Sequence, residues 1–181
     1  MILPIYLYGQ NVLRKKTKDI SLDYPNLKEL IDNMFETMYE AEGVGLAAPQ
    51  VGLDDRIVVL DLAACAKDNP DCADFKKVFV NAYIVERDGE EKLMEEGCLS
   101  IPNIHEKVSR FNRIRIQYLD ENLQAHDEVF EGFKARVIQH EYDHLEGMMF
   151  VDRIAGIRKQ MIRSKLNRIM KRDVKCSYKV K

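Results

Sequence analysis

Apolar residues recur at steps of three and four as Leu27, Leu30, Ile31, Met34, Phe35, Met38 and Tyr39, a spacing that predicts an amphipathic helix with one face turned to a core. Asp23 is placed as its N-cap, Pro25 suits the first turn, and Gly43 ends it. The period then changes. Ile57-Val58-Val59-Leu60, the run from Val78 to Val85, and the alternating Ile114-Arg115-Ile116-Gln117-Tyr118-Leu119 read as strands. Asp120-Glu121-Asn122 supplies a turn before a further strand through Val129 and Phe130. Helical spacing returns twice. One helix is predicted from about Phe133 to Leu145, with Gly147 as left-handed terminator and Ala135, Ile138, Tyr142 and Leu145 as the stripe packed on the sheet. The other carries Ile154, Ile157, Met161, Ile162, Leu166, Ile169 and Met170 as one buried stripe under a basic face. A helix, then strands with no helices between them, then two helices, is the order of an α+β fold with antiparallel sheets rather than a parallel βαβ sheet. Asp68-Asn69-Pro70-Asp71 reads as a surface loop between Cys65 and Cys72.

Length and composition narrow this picture. With 181 residues, 46% hydrophobic and 32% charged, the chain supports one sizeable core and is short for two, so 1–181 is expected to be a single domain in which 153–181 forms a basic helix and tail. The first residues, Met1-Ile2-Leu3-Pro4-Ile5-Tyr6-Leu7-Tyr8-Gly9, lack a basic start and a long apolar region, and no membrane-length apolar run follows. A cytoplasmic location without a membrane partner is the expectation. Four cysteines make no dense disulfide framework, and in a reducing compartment each is either inert or a ligand. The formal net charge is only −2, but from Arg158 to Lys181 ten basic residues face one acid, Asp173. That segment is either a solvated face or a docking surface for an anionic partner such as RNA.

The chemistry centres on His140-Glu141-Tyr142-Asp143-His144, which sets two imidazoles one helical turn apart with a carboxylate beside them. A helix offers two ligands to one metal ion in this way and places a general base next to it, so the pattern predicts a metallohydrolase. Val137, His140, Glu141 and His144 look away from the packed stripe, toward a side where a cleft fits. A catalytic zinc-type ion takes three protein ligands, and the third decides the class. Metzincin proteases place a histidine six residues after the second, where this chain has Phe150; thermolysin-like proteases use a later glutamate, and no glutamate follows Glu146. His105, His126, a cysteine or a distant acid remain, with Cys98 the strongest candidate. It lies in Glu95-Glu96-Gly97-Cys98-Leu99-Ser100-Ile101-Pro102, which reads as a shaped turn or short extended piece. Gly43-Val44-Gly45-Leu46-Ala47-Ala48-Pro49-Gln50 matches a dinucleotide-binding loop superficially, but it follows a helix instead of a strand and contains Pro49, so no dinucleotide cofactor is expected. Its small residues suit a backbone wall for an extended peptide.

Taken together, Gly43 to Gln50, Glu96-Gly97-Cys98-Leu99-Ser100 and Gln139-His140-Glu141-Tyr142-Asp143-His144 closely resemble the three ordered motifs of the peptide deformylases. The resemblance spans nearly the whole chain. It implies that Cys98, His140 and His144 bind the metal, that Glu141 is the general base and acid, and that Gln50 with the Leu99 backbone N–H forms the oxyanion site. It further implies that Val44 lines the methionine pocket and that Gly45 and Glu96 hold the substrate or the geometry of the site. The expected reaction removes the formyl group of N-formyl-methionyl nascent peptides as formate. Ligand type alone suggests zinc; the family implies Fe2+, with Zn2+, Ni2+ or Co2+ as substitutes. Arg136 stands where some members carry an apolar side chain, and its stem is expected to pack while its head reaches solvent. Meeting nascent chains also gives the basic tail a purpose, docking on the ribosome. A metal-dependent endopeptidase and a protein with a structural zinc are the alternatives.

Overall fold

The computed structural model describes residues 1–181. Five strands form one antiparallel meander in chain order: β1 (Gly45–Ala47), β2 (Ile57–Asp61), β3 (Lys76–Cys98), β4 (Ile101–Leu119) and β5 (Ala125–Glu131). Three helices accompany it: α1 (Leu27–Glu40), α2 (Gly132–Leu145) and α3 (Gly156–Met170). This is the α+β fold expected, with a single sheet. The four predicted strands all lie within it.

The unbroken apolar run of β2 is explained by burial on both faces. Val58 and Leu60 point to a core shared with Phe79, Ile114 and Ile116 of the sheet and with Ala135, Ile138, Tyr142 and Leu145 of α2. Ile57 and Val59 point the other way, to Ile31, Met34, Phe35 and Met38 of α1. The sheet is thus sandwiched between α1 and α2, and the predicted stripe of α2 does the packing. Left-handed Gly147 follows α2, as its position requires.

Three expectations are corrected. Asn26, itself left-handed, precedes α1 in place of Asp23, and its side chain makes no cap. The segment around Cys98 is no short piece: it is the tip of a long hairpin in which β3 and β4 pair almost throughout and only Leu99 and Ser100 turn. The stretch Glu86-Arg87-Asp88-Gly89-Glu90-Glu91 is charged and exposed, so it carries no alternation to advertise a strand. Finally, the stripe of α3 is narrower than its sequence suggests. Ile162, Leu166 and Ile169 pack with Ile154, Phe150 and Ile101, whereas Ile157, Met161 and Met170 are 70%, 62% and 54% exposed.

Candidate metal centre and substrate cleft

The helical spacing of α2 sets His140 and His144 one turn apart, with ring centroids 5.5 Å from each other. The hairpin brings Cys98 to them, its Sγ 3.3 Å from His144 Nε2. One ligating atom from each of Cys98, His140 and His144 falls in a common space, all within 4.8 Å of one another. His126 is elsewhere, bonded to Asp120 at 2.7 Å, and His105 packs over Gly97 without joining the cluster. An ion bonded to nitrogen and sulfur at roughly 2.0–2.3 Å holds its donors about 3.5 Å apart. The donor set and its spacing therefore fit a divalent transition metal.

The surroundings prepare these donors. His140 Nδ1 lies 2.7 Å from Glu96 Oε1, which places the proton on Nδ1 and leaves Nε2 for the shared space. Burial by itself raises the Cys98 thiol, but the adjacent His144 and His140 outweigh it and bring the group down to about 5, so sulfur is a thiolate at neutral pH. Burial likewise opposes ionisation of Glu96, yet hydrogen bonds from His140 and Arg110 hold it far below the usual carboxylate range. Arg110 bonds both Glu96 oxygens at 2.7 and 2.9 Å and reaches Asp143 at 2.9 Å; Arg153 holds Asp143 from the other side at 2.6 and 2.7 Å. A fixed carboxylate thus orients a ligand imidazole, and a fixed arginine orients the carboxylate. Both oxygens of Glu96 are taken up, so its contacts support a role in geometry more than in gripping substrate.

Glu141 follows His140 on α2 and, like His144 at its Nδ1, keeps a polar atom that nothing in the protein engages. Its Oε2 is buried with no hydrogen-bond partner, and burial pushes its carboxyl above the ordinary value although His140 and His144 pull it back. A carboxylate with spare acceptor capacity and a raised pKa is suited to taking and returning a proton. Gly45 makes room for it: a Cβ there would sit 2.6 Å from Glu141 Oε1 and 2.7 Å from Leu60 Cδ2. Gln50 is buried, its Oε1 accepting from Ala47 N–H at 2.9 Å, which turns its Nε2 donors toward Ser100 Oγ at 3.2 Å and Cys98 Sγ at 3.5 Å. The amide therefore presents hydrogens, not oxygen, to the centre.

All nine residues singled out from the sequence come together. They line or adjoin a single cleft of about 590 Å³, with Ala41 to Gly45 and Ile101 to His105 on its sides and His144, the third member of the cluster, just behind its wall. Arg136 departs from expectation. Its head is buried, bonding Glu96 Oε2 at 2.7 Å, Val108 O at 2.7 Å and Lys92 O at 2.5 Å, so the charge serves the carboxylate behind His140 and does not reach solvent. Two elements were missed. Arg110 occupies the inward phase of β4, after Ile104, Glu106 and Val108, and a charge in a buried phase is the signal that it had a partner. Lys175, Cys176, Ser177 and Tyr178 also line the cleft, and the alternation Val174, Cys176, Tyr178, Val180 against exposed lysines and serine was the sign of an extended segment.

The chain is similar over most of its length to known proteins of one family. A family model described as polypeptide deformylase matches residues 2–160. A peptide deformylase of Christiangramia forsetii is 52% identical over 188 residues, covering 100% of this chain and 96% of that one. One from Flavobacterium johnsoniae is 50% identical over 188 residues, with the same coverage of 100% and 96%. The crystal structure of the Thermus thermophilus peptide deformylase superposes with a TM-score of 0.84 at 39% identity, covering 95% of this chain and 99% of that one.

Proposed function

This chain belongs to the polypeptide deformylase family, a metal-dependent hydrolase of formylated nascent peptides, and from that premise we propose how its residues divide the work. Residues 1–181 act as one metallohydrolase domain. Cys98, His140 and His144 hold the ion, Glu141 moves the proton, and Gln50 with the Leu99 N–H receives the negative charge that develops on the formyl oxygen. Val44 lines the methionine pocket, Gly45 keeps the backbone wall close to Glu141, and Glu96 holds His140.

The observation that carries this reading is the convergence of one thiolate and two imidazoles from the hairpin tip and α2 beside an unpartnered carboxylate. The ion supplies Lewis-acid polarisation of the formyl group and activation of water at neutral pH. Glu141 accepts the proton of the attacking water through its spare oxygen. As the formyl carbon becomes tetrahedral, the Gln50 amide and the Leu99 N–H stabilise its oxygen, donors fixed before the charge appears. Glu141 then returns its proton to the departing amine, freeing formate and a peptide with a new amino terminus. The same donor set serves several divalent ions, and our reading takes Fe2+ as the ion in the cell, with Zn2+, Ni2+ or Co2+ able to replace it. Protein prepared without oxygen is expected to contain one ion per chain by elemental analysis. Cys98→Ala, which leaves two imidazoles only, is expected to lose it on dialysis; full retention of metal would remove Cys98 from the ligand set.

No helix is long and apolar enough to cross a membrane. A cytoplasmic site of action, at the ribosome, is part of the proposal. Arg158 is paired with Glu106 and Arg168 with Asp173, but Lys159, Arg163, Lys165, Lys171 and Arg172 are exposed on α3 and after it. Because α3 also packs into the core, removing it would damage the protein, so charge reversal is the cleaner test. Lys159→Glu, Arg163→Glu and Lys165→Glu together are expected to weaken co-sedimentation with ribosomes at low salt while formate release from a tripeptide stays unchanged. Equal sedimentation would return this face to a role in solubility.

A further inference from the structure

We propose that Tyr178 is a positioning residue for deformylation: its hydroxyl donates to the Leu99 carbonyl oxygen at 2.7 Å and so fixes the turn whose N–H faces the developing oxyanion. This rests on the role given to Leu99 above. Tyr178 lies beyond the residues matched by the family model, which end at 160.

The turn needs such a clamp. Leu99 and Ser100 are the two residues that join β3 to β4, so they stand outside the ladder that holds the rest of the hairpin. Their carbonyls are fastened from outside: Leu99 O by Tyr178, and Ser100 O by the Tyr8 N–H at 2.8 Å. Tyr6 N–H holds Gln50 O in the same way, also at 2.8 Å. Ile5 and Leu7, which face the other way along this segment, bond Lys179 O at 2.9 Å and Lys181 O at 3.2 Å. The first segment of the chain is therefore an extended piece laid between the segment after α3 and the carbonyls of Gln50 and Ser100, and Tyr178 adds a side-chain bond made directly to Leu99. Burial pushes its phenol up, so the hydroxyl remains a donor throughout the neutral range. An oxyanion site acts through donors already in place, and a displacement of about 1 Å can cost up to a hundredfold in rate.

The test uses Tyr178→Phe, which keeps the ring and deletes the donor. In the metal-loaded enzyme, kcat for formate release from formyl-Met-Ala-Ser is expected to fall about tenfold, with KM and metal content unchanged and the melting temperature lowered by only about 2–4 °C, the pattern of an interaction realised in the transition state. Val174→Ala, which trims packing in the same segment, is the structural control, expected to lower the melting temperature without the fall in kcat. Wild-type kcat in Tyr178→Phe overturns the proposal, as does an equal fall in Val174→Ala. Gln50→Ala, measured alongside, separates this failure from failure of the oxyanion reading: it should lose about a hundredfold or more, and if it does not, the oxyanion assignment itself falls.

Discussion

Replacing Glu141 by alanine is expected to lower kcat for formate release by about 10²- to 10⁴-fold, the usual worth of a positioned general acid–base, while the metal stays bound. The direction follows from the division of labour around α2. Cys98, His140 and His144 are the ligands proposed, so on that reading the ion does not depend on the carboxylate. Glu141 has an oxygen with no other work and a carboxyl raised by burial, so the proton does. Glutamine at the same position keeps the volume and removes the base, and it is expected to match alanine. Retained metal with near-wild-type turnover in either variant, measured by elemental analysis and formate assay, would transfer the proton to another group.

Arg110→Ala is expected to be the most destabilising single change near the site. Arg110 is 4% exposed and links Glu96 to Asp143, two carboxylates that are themselves buried. Removing one partner of a buried ion pair costs about 3–5 kcal/mol, because the desolvated charge left behind has lost its compensation. Here Arg136 still holds Glu96 and Arg153 still holds Asp143, which places the expected loss near the lower end, about 3 kcal/mol by chemical denaturation. The effect also travels to the ion. Glu96 would lose the fork that fixes its plane, and weakening the group behind a ligand histidine costs about 10- to 100-fold in metal affinity. Lysine does not substitute, since a single ammonium cannot make the fork that grips both Glu96 oxygens. A variant with unchanged denaturation midpoint and metal affinity would show that Arg136 suffices.

The sequence was most legible where one physical signal dominated. The face of α1 and the stripe of α2 were read from period alone, and both pack as that period requires except at the end of α1, where Tyr39 is exposed. The ligand cluster was legible because histidines at i and i+4 can only project together, and the resemblance supplied the sulfur. Legibility failed where two requirements overlap in one residue. Arg136 was read as an amphipathic rim residue, since nothing local reveals that three acceptors await its head inside the protein. Ile157 and Met161 fit the spacing of α3 yet face outward, because the buried face of that helix is only as wide as the row Ile162, Leu166 and Ile169. The role of Tyr178 was hidden for the same reason as that of Arg110. Each depends on a partner far away in sequence, and the short alternating pattern around Tyr178 was masked by its lysines.

The extended segment made by the first residues also bears on the order in which the enzyme becomes competent. The ligand sphere needs only the hairpin and α2, segments that neighbour each other along the chain. The oxyanion wall is backed by Tyr6 and Tyr8 on a segment that Ile5 and Leu7 tie to Lys179 and Lys181, contacts between the two ends of the chain that close late because their sequence separation is so large. On the proposed ligand set, capture of the ion is therefore expected to precede turnover as the polypeptide folds, with metal retained on a form not yet competent to release formate.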